Sequence, residues 1–300
     1  AKTITIAWTN IMESQQEIWE KYIFEPFEEK HPEVTIDFQC LPDLQNTVRV
    51  QVAAGAGPDM FYMDSVDIPD YASTNRILSL ENYRKEYNLD DSMYDWAIRS
   101  CLYKDEMYAL PASVEATAMT YNKNLLDQLG KDVPTNREEF VDVCNAALEA
   151  GLIPVSFGYS GNNLLLTWPY EHYLTCYAGG EKTAQLLKGE ITFDDPDIKG
   201  AFELLKADWD AGYINDKKSG ARILFANQKA VFNYEGPWLI LADGAAKTWD
   251  FEWGQCAWPS MKHGTPAGSA ITLGEAIGIN ASSQVSDLCM EMMMDFYSNE

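Results

Sequence analysis

The regular alternation of short apolar strand patterns with amphipathic helix patterns is the feature that most constrains this fold. Over the first hundred residues, strand patterns at residues 3–8, Val34–Cys40 and Met60–Met63 are separated by two helix patterns. This β-α-β-α-β order is typical of an open, mostly parallel sheet whose strands are joined by crossover helices. The sequence therefore predicts an α/β fold.

The two helix patterns between these strands begin at capping residues. Ser14 and Glu17 form a capping-box pattern, and Asp43 is expected as the N-cap of a helix that ends at Ala54. Apolar side chains recur at helical spacing in the first helix, which predicts one buried face. That face consists of Ile18, Trp19, Tyr22, Ile23 and Phe27.

The same alternation resumes after Leu126 and predicts a second α/β half. One of its helices is expected to begin at a capping box formed by Thr135 and Glu138, and another at the Asp195-Pro196 pair. At 300 residues the chain is too long for one small core.

Two lobes are therefore expected, joined near residues 110–113 and again near residues 259–266. The sequence predicts that residues 1–110 with 266–300 form lobe 1 and that residues 111–265 form lobe 2.

The stretch at residues 108–126 is expected to connect the two halves. Pro111 is predicted to end one strand, because proline cannot donate to a sheet ladder, and a second strand pattern follows at residues 117–121. Glu115 lies between the two patterns with apolar neighbours. It is either a solvated loop charge or a carboxylate directed into a cleft between the lobes.

Composition excludes several classes of partner. The net charge of −24 and the pI near 4.4 argue against nucleic acid and anionic membranes. No segment approaches the length of a membrane span. The six cysteines form no Cys-x-x-Cys pair and the three histidines lie far apart, so we predict free thiols, no metal site and no cofactor. The sequence opens directly into a strand pattern, so we expect that any signal peptide has been removed.

Polar and aromatic side chains follow the predicted strands, at the edge where an open α/β sheet binds its ligand. They are Trp8, Asn10, Glu13, Asp64, Glu115 and Trp238. Aromatic faces stack on sugar rings, and carboxylates and amides bind hydroxyl groups, so this set suits a neutral, polyhydroxylated ligand. Each residue also has a purely structural interpretation, as core, helix cap or first-turn charge. Glycoside hydrolysis uses two carboxylates as well, and spacing alone leaves it open.

Several stretches, in the right order along nearly the whole chain, resemble the extracellular solute-binding proteins of ATP-driven sugar importers, and most of all their maltose-binding branch. The most similar segments are Val114-Glu115-Ala116 before Tyr121-Asn122-Lys123, and Gly236-Pro237-Trp238. The others are residues 53–59, 135–140, 225–231 and 268–280. The resemblance implies a two-lobed, type II periplasmic-binding-protein fold with a ligand cleft between the lobes.

The resemblance also implies roles for single residues. Glu115 and Asp64 match hydroxyl-binding carboxylates, and Trp238 matches a sugar-stacking tryptophan. The remaining ligand-binding residues that it implies are Trp8, Asn10, Glu13, Trp168, Tyr170 and Glu275. Two departures stand out. Gln228 replaces a glycine usual in the family, and the chain stops at Glu300 where family members continue with further C-terminal helices. Either the sequence is trimmed, leaving lobe 2 incomplete, or those helices are absent.

The sequence as a whole predicts a carbohydrate-binding protein and not an enzyme. Its ligand would be an oligosaccharide, delivered to ABC transporter permease subunits when the two lobes close about a hinge. The predicted form is a monomer, extracellular or periplasmic, and anchored as a lipoprotein before trimming. A glycoside hydrolase and a binding protein for a cation such as a polyamine are the alternatives.

Overall fold

The computed structural model describes the chain except residues 10–12, 158–166, 215–219, 237–238, 241–244, 269 and 299–300. For residues 13–15, 115, 167–169, 245 and 270–272 the backbone alone is described. The chain divides into two compact units. Unit 1 comprises residues 1–114 and 272–300, and unit 2 comprises residues 115–271.

Unit 1 is built mainly from the first hundred residues. Its strands are β1 (Lys2–Trp8), β2 (Val34–Cys40), β3 (Met60–Met63), β4 (Leu102–Tyr103) and β5 (Glu106–Met107). Its helices are α1 (Glu13–Trp19), α2 (Glu25–Lys30), α3 (Leu44–Ala53), α4 (Ile68–Ser73), α5 (Glu81–Glu86), α6 (Leu89–Ser92) and α7 (Asp95–Ser100).

Unit 2 begins within the long strand β6 (Leu110–Asn122) and ends within β10. Its helices are α8 (Lys123–Leu129), α9 (Arg137–Glu149), α10 (Thr167–Tyr173), α11 (Gly180–Leu187), α12 (Pro196–Asp210) and α13 (Ala221–Ala226). Its other strands are β7 (Ile153–Phe157), β8 (Ala230–Glu235) and β9 (Trp253–Cys256). The chain then returns to unit 1 through β10 (Ala270–Ile279) and ends in α14 (Ser286–Ser298).

The sheet of unit 1 confirms the predicted β-α-β-α-β order. β1 pairs in parallel with β2 and with β3, and the returning strand β10 pairs antiparallel with β3. In unit 2, β7 pairs in parallel with β8, and β6 pairs antiparallel with both β8 and β9. Each unit buries its own apolar core, with Trp8, Phe27 and Phe61 in unit 1 and Phe140 and Trp258 in unit 2.

The prediction that Pro111 ends a strand is wrong. β6 continues through Pro111 and Glu115 without a break, so Glu115 lies inside a strand and not between two. Pro111 is the second residue of β6, and the start of a strand is a position where a missing N–H is tolerated. Its carbonyl oxygen accepts a hydrogen bond from Tyr297 Oη at 2.6 Å, which ties the start of β6 to α14.

The predicted apolar face of the first helix is only partly right. A π-helical turn at Glu20–Phe24 lies between α1 and α2, and each i→i+5 turn rotates the following residues relative to a regular helix. As a result Ile18 and Tyr22 are more than half exposed, whereas Phe24 is buried.

Two of the predicted caps differ in detail. The N-cap of α9 is Asn136, whose side chain accepts from the Glu139 N–H, while Glu139 reaches back to the Thr135 N–H at 2.8 Å. The capping box thus lies one residue later than the Thr135 and Glu138 pattern. Asp43 occupies the N-cap of α3, but its carboxylate accepts from Asn46 Nδ2 and makes no cap bond.

The buried carboxylate of Asp208 in unit 2 provides a test of core stability. It is 1% exposed, forms an ion pair with Arg137 and accepts a hydrogen bond from Tyr173 Oη at 2.6 Å. Removing one partner of a buried pair leaves an uncompensated charge, so Arg137→Ala is expected to lower the free energy of unfolding by about 3–5 kcal/mol. Urea unfolding measures this change.

Arg99→Ala is the matched control, because Arg99 pairs with Asp95 at the surface, with side chains 67% and 79% exposed. Its loss is expected to cost no more than about 1 kcal/mol. Equal losses in the two variants would contradict a special role for the buried pair.

Candidate functional site

The antiparallel ladder between β3 and β10 brings two carboxyl groups to the same end of the sheet in unit 1. Met63 pairs with Ala276 in this ladder, so the next residues along the two strands are Asp64 and Glu275. Asp64 directly follows the carboxyl end of β3, where an open α/β sheet places its ligand-binding residues. Two residues from distant parts of the sequence thereby become neighbours.

Asp64 is held by two neutral hydrogen-bond donors. Tyr62 Oη donates to Asp64 Oδ1 at 2.7 Å, and Gln45 Nε2 donates to Asp64 Oδ2 at 2.6 Å. Tyr62 belongs to β3 and Gln45 to the first turn of α3, so two regular elements fix the carboxylate. Because each oxygen has a donor already and still has free lone-pair directions, the carboxylate can accept further hydrogen bonds.

Glu275 is half-buried, and its surroundings favour the protonated form. Burial raises the pKa of its carboxyl group above the ordinary value of 4.5, and the negative charge of Asp64 raises it further. The Ser113 hydroxyl and the Trp8 N–H act in the opposite direction, since donors stabilise the ionised carboxylate. The net direction is upward because the loss of hydration is the largest effect.

Trp8 serves this site from the core. It is fully buried, and its ring meets Trp19 and Tyr62 edge-on, with ring centroids 4.6 and 5.4 Å away. Its Nε1 and Ser113 Oγ are buried near the Glu275 carboxyl group, but among the described residues neither completes a hydrogen bond with full geometry. The indole therefore offers its N–H and not an exposed ring face.

The four groups together can bind hydroxyl groups. The carboxyl groups of Asp64 and Glu275 supply acceptors, and Trp8 and Ser113 supply donors that are not fully used. In the part of the chain that the structure describes, neither carboxyl group takes part in an ion pair. A hydroxyl group both donates and accepts, so it matches this mixture better than an anion, which two carboxylates would repel.

The other predicted ligand-binding residues lie elsewhere or outside the described residues. Asn10 and Trp238 fall on undescribed positions. Glu13 begins α1, Glu115 lies in β6 and Trp168 lies in α10, each with its backbone alone described.

Tyr170, on α10, is 41% exposed and its ring lies 6.2 Å from that of Phe202. Of the nine predicted residues, the structure brings Trp8, Asp64 and Glu275 together in unit 1.

Sequence reasoning missed three members of the site: Gln45, Tyr62 and Ser113. A weak signal existed for Tyr62, because residues two apart in a strand share a face and Tyr62 precedes Asp64 by two. Ser113 gave no signal, because the strand was expected to end at Pro111. Gln45 depends on the packing of α3 against the sheet, which spacing does not reveal.

No metal site competes with this assignment among the residues searched. No cluster of histidine, cysteine, aspartate or glutamate suited to a metal ion occurs in the described ranges. All six cysteines are free thiols, four of them buried, as predicted. No helix among the described residues is both long enough and apolar enough to span a bilayer.

Comparison with known proteins connects this geometry to a family. The family model of bacterial extracellular solute-binding proteins matches residues 12–287. The maltotriose-binding protein of Pyrococcus abyssi is 30% identical over 126 residues, which cover 41% of this chain and 27% of that protein. The multiple sugar-binding protein of Streptococcus mutans is 23% identical over 319 residues, covering 94% of this chain and 68% of that protein.

A solved structure of a chitin oligosaccharide binding protein has the same fold. It superposes with a TM-score of 0.86 at 21% identity, covering 99% of this chain and 77% of that one. The two-lobed fold class expected from the sequence is thereby confirmed. The chain spans only part of the length of the curated relatives it matches, since the matched shares of those proteins are 27% and 68%.

The raised pKa of Glu275 predicts a pH-dependent effect on stability. Because the folded pKa lies above the unfolded one, ionisation of Glu275 costs folding free energy that appears as pH rises through the folded pKa. Glu275→Gln removes this cost and keeps the shape. We expect the variant to be more stable than the parent at neutral pH, with a difference that shrinks as pH falls towards 4.5.

Urea unfolding at several pH values measures the difference. Glu252→Gln is the control, since the Glu252 side chain is 76% exposed and should give a small, flat difference. A Glu275→Gln variant that is less stable than the parent at neutral pH would show that its carboxylate is satisfied in the fold.

Proposed function

Because the chain belongs to the family of bacterial extracellular solute-binding proteins, we propose that it binds an oligosaccharide outside the cell and delivers it to the permease subunits of an ABC transporter. The relatives named above carry sugars in their names, which supports a carbohydrate as the ligand class. A free periplasmic form and a membrane-anchored lipoprotein both fit this proposal.

The observation that carries the proposal is the site in unit 1, where two carboxyl groups meet neutral donors. Asp64 and Glu275 accept, and Tyr62, Gln45, Ser113 and Trp8 surround them with O–H and N–H groups. Hydroxyl-bearing ligands suit this arrangement. A cationic solute would need both carboxylates ionised, which the burial of Glu275 opposes.

A thermal-shift screen against mono- and oligosaccharides, with a polyamine alongside, tests the ligand class. A ligand at a hundredfold excess over its Kd should stabilise the protein by about 2.7 kcal/mol. Stabilisation by the polyamine and by none of the sugars would reject the proposal.

We propose binding without catalysis. The relatives with names are binding proteins, which supports this choice over a glycoside hydrolase. A product assay on the best ligand from the screen tests it directly, because hydrolysis of that ligand by the parent protein would establish an enzyme.

Ligand delivery is proposed to work through closure of two lobes, residues 1–110 with 266–300 and residues 111–265. The chain passes between the structural units at two places, inside β6 and inside β10, which are the natural hinge positions. Closure requires a ligand that binds the closed state more tightly than the open one. Small-angle scattering of a 33.8 kDa monomer, with and without ligand, should show a smaller radius of gyration on binding.

Asp64→Asn is expected to weaken carbohydrate binding by one to two orders of magnitude. The change converts an acceptor-only oxygen pair into a mixed donor and acceptor, and hydrogen bonds to charged groups contribute about 1.5–3 kcal/mol each. Titration calorimetry measures the affinity.

Asp37→Asn is the matched control, because Asp37 also accepts a glutamine amide, from Gln39 Nε2 at 2.6 Å, on an exposed strand position. Equal affinities of the two variants would remove Asp64 from the binding site.

The remaining ligand contacts are proposals that rest on the resemblance of their motifs. Asn10, Glu13, Glu115 and Trp168 are proposed to bind hydroxyl groups or sugar faces, and Trp238 to stack on a sugar ring. Trp238→Ala is expected to weaken binding by about 1–3 kcal/mol, from the lost aromatic contact and its buried area. Calorimetry beside a circular-dichroism check of folding measures this, and unchanged affinity in a folded variant would assign Trp238 to the core.

A further inference from the structure

A depression on unit 2 lies between α10 and α12 and contains none of the carboxyl groups described above. Its sides are formed by Tyr170 of α10 and by Phe202, Lys206 and Trp209 of α12, with Leu205 beneath them. Phe202, Lys206 and Trp209 follow one another at helical spacing, so α12 presents them on one face. The depression holds about 260 Å³.

The aromatic rings around this depression are unusually accessible. Tyr170 is 41% exposed and Trp209 is 39% exposed, although both are large and belong to regular helices. The ring of Phe202 lies 6.2 Å from Tyr170 and 5.8 Å from Phe193, which is itself 66% exposed. Three rings thus follow one another along the surface, with Trp209 one helical turn further on.

The charged groups at the depression neutralise each other. Lys206 Nζ lies 2.6 Å from Asp210 Oδ2, one turn along α12, so the pair adds no net charge in a chain whose net charge is −24. A neutral partner therefore meets no uncompensated charge here. Aromatic faces carry a negative potential that attracts weakly positive C–H groups, and the Lys206 and Asp210 heads offer a donor and acceptors beside them.

We propose that this depression binds one sugar ring of an oligosaccharide or polysaccharide chain, stacked on Tyr170 and Trp209 and hydrogen-bonded at Lys206 and Asp210. The next rings of the chain lie along Phe202 and Phe193. This is a second carbohydrate site, and it does not depend on the site of Asp64 and Glu275.

The size of the depression fits a single ring. Pockets for drug-sized ligands usually enclose roughly 300–1,000 Å³, and this depression falls just below that range. A shallow, one-ring site binds weakly, but a polymer gains affinity because several sites on the chain present the same ring to it. Such a surface would keep the protein close to the polysaccharide from which oligosaccharides are released.

Native gel electrophoresis through gels that contain soluble starch, xylan or galactomannan tests the proposal. The parent protein should be retarded by at least one of these polymers. Trp209→Ala and Tyr170→Ala should each weaken the apparent affinity about tenfold, the factor that corresponds to roughly 1.4 kcal/mol. Asp64→Asn should remain retarded, because it changes the other site.

Trp253→Ala is the matched control, since Trp253 has the same residue type in the same unit and is 37% exposed. Its retardation should equal that of the parent. Retardation that survives Trp209→Ala, or that is absent with all three polymers, overturns the proposal.

Two further results also overturn it. Loss of retardation in Asp64→Asn would assign polymer binding to the unit 1 site alone. A parent dimer that becomes a monomer in Trp209→Ala, measured by light scattering during gel filtration, would make a second copy of the chain the occupant of this surface.

Discussion

The antiparallel pairing of β10 with β3 is the constraint on which the candidate site depends. β1, β2 and β3 form a parallel sheet by themselves, and local crossover helices suffice to build it. β10 joins this sheet after the chain has completed unit 2, and it places Glu275 beside Asp64. Because side chains alternate along a strand, a shift of one residue in this register would turn Glu275 to the other face. The register is held by the buried residues Ala276, Ile277 and Ile279, which belong to the core of unit 1.

Local patterns in the sequence predicted most of the regular elements. The strands at Val34–Cys40, Met60–Met63 and Ile153–Phe157 and the helix at Lys123–Leu129 with Gly130 behind it are confirmed. These elements are determined by alternation, helical spacing and a glycine in the left-handed region, all of which can be read within a dozen residues.

The errors arose where one residue changed the phase or where a strand had two environments. The π turn at Glu20–Phe24 adds a residue to a turn, and no periodicity analysis detects that. β6 contains a proline and passes from one unit to the other, so its two ends follow different patterns. For the site, Asp64 could be found from its place after a strand, but its donors Tyr62 and Gln45 depend on tertiary contacts.

The buried charges of the two units show why the unit 1 site is suited to a ligand. In unit 2, Asp208 and Glu235 are each 1% exposed, and each is paired with an arginine, Arg137 and Arg222 respectively. Ion pairing of this kind compensates a buried charge within the protein, so no external partner is required. In unit 1, the described contacts of Asp64 and Glu275 come from neutral groups, and the Trp8 and Ser113 donors remain incompletely used. A carboxyl group left in this state costs folding free energy until something with hydroxyl groups completes its hydrogen bonds, because an unsatisfied buried polar group is unfavourable. The same deficit that weakens the unliganded protein is therefore available as binding free energy, which is how a site can be both conserved in shape by its core and incomplete without its ligand.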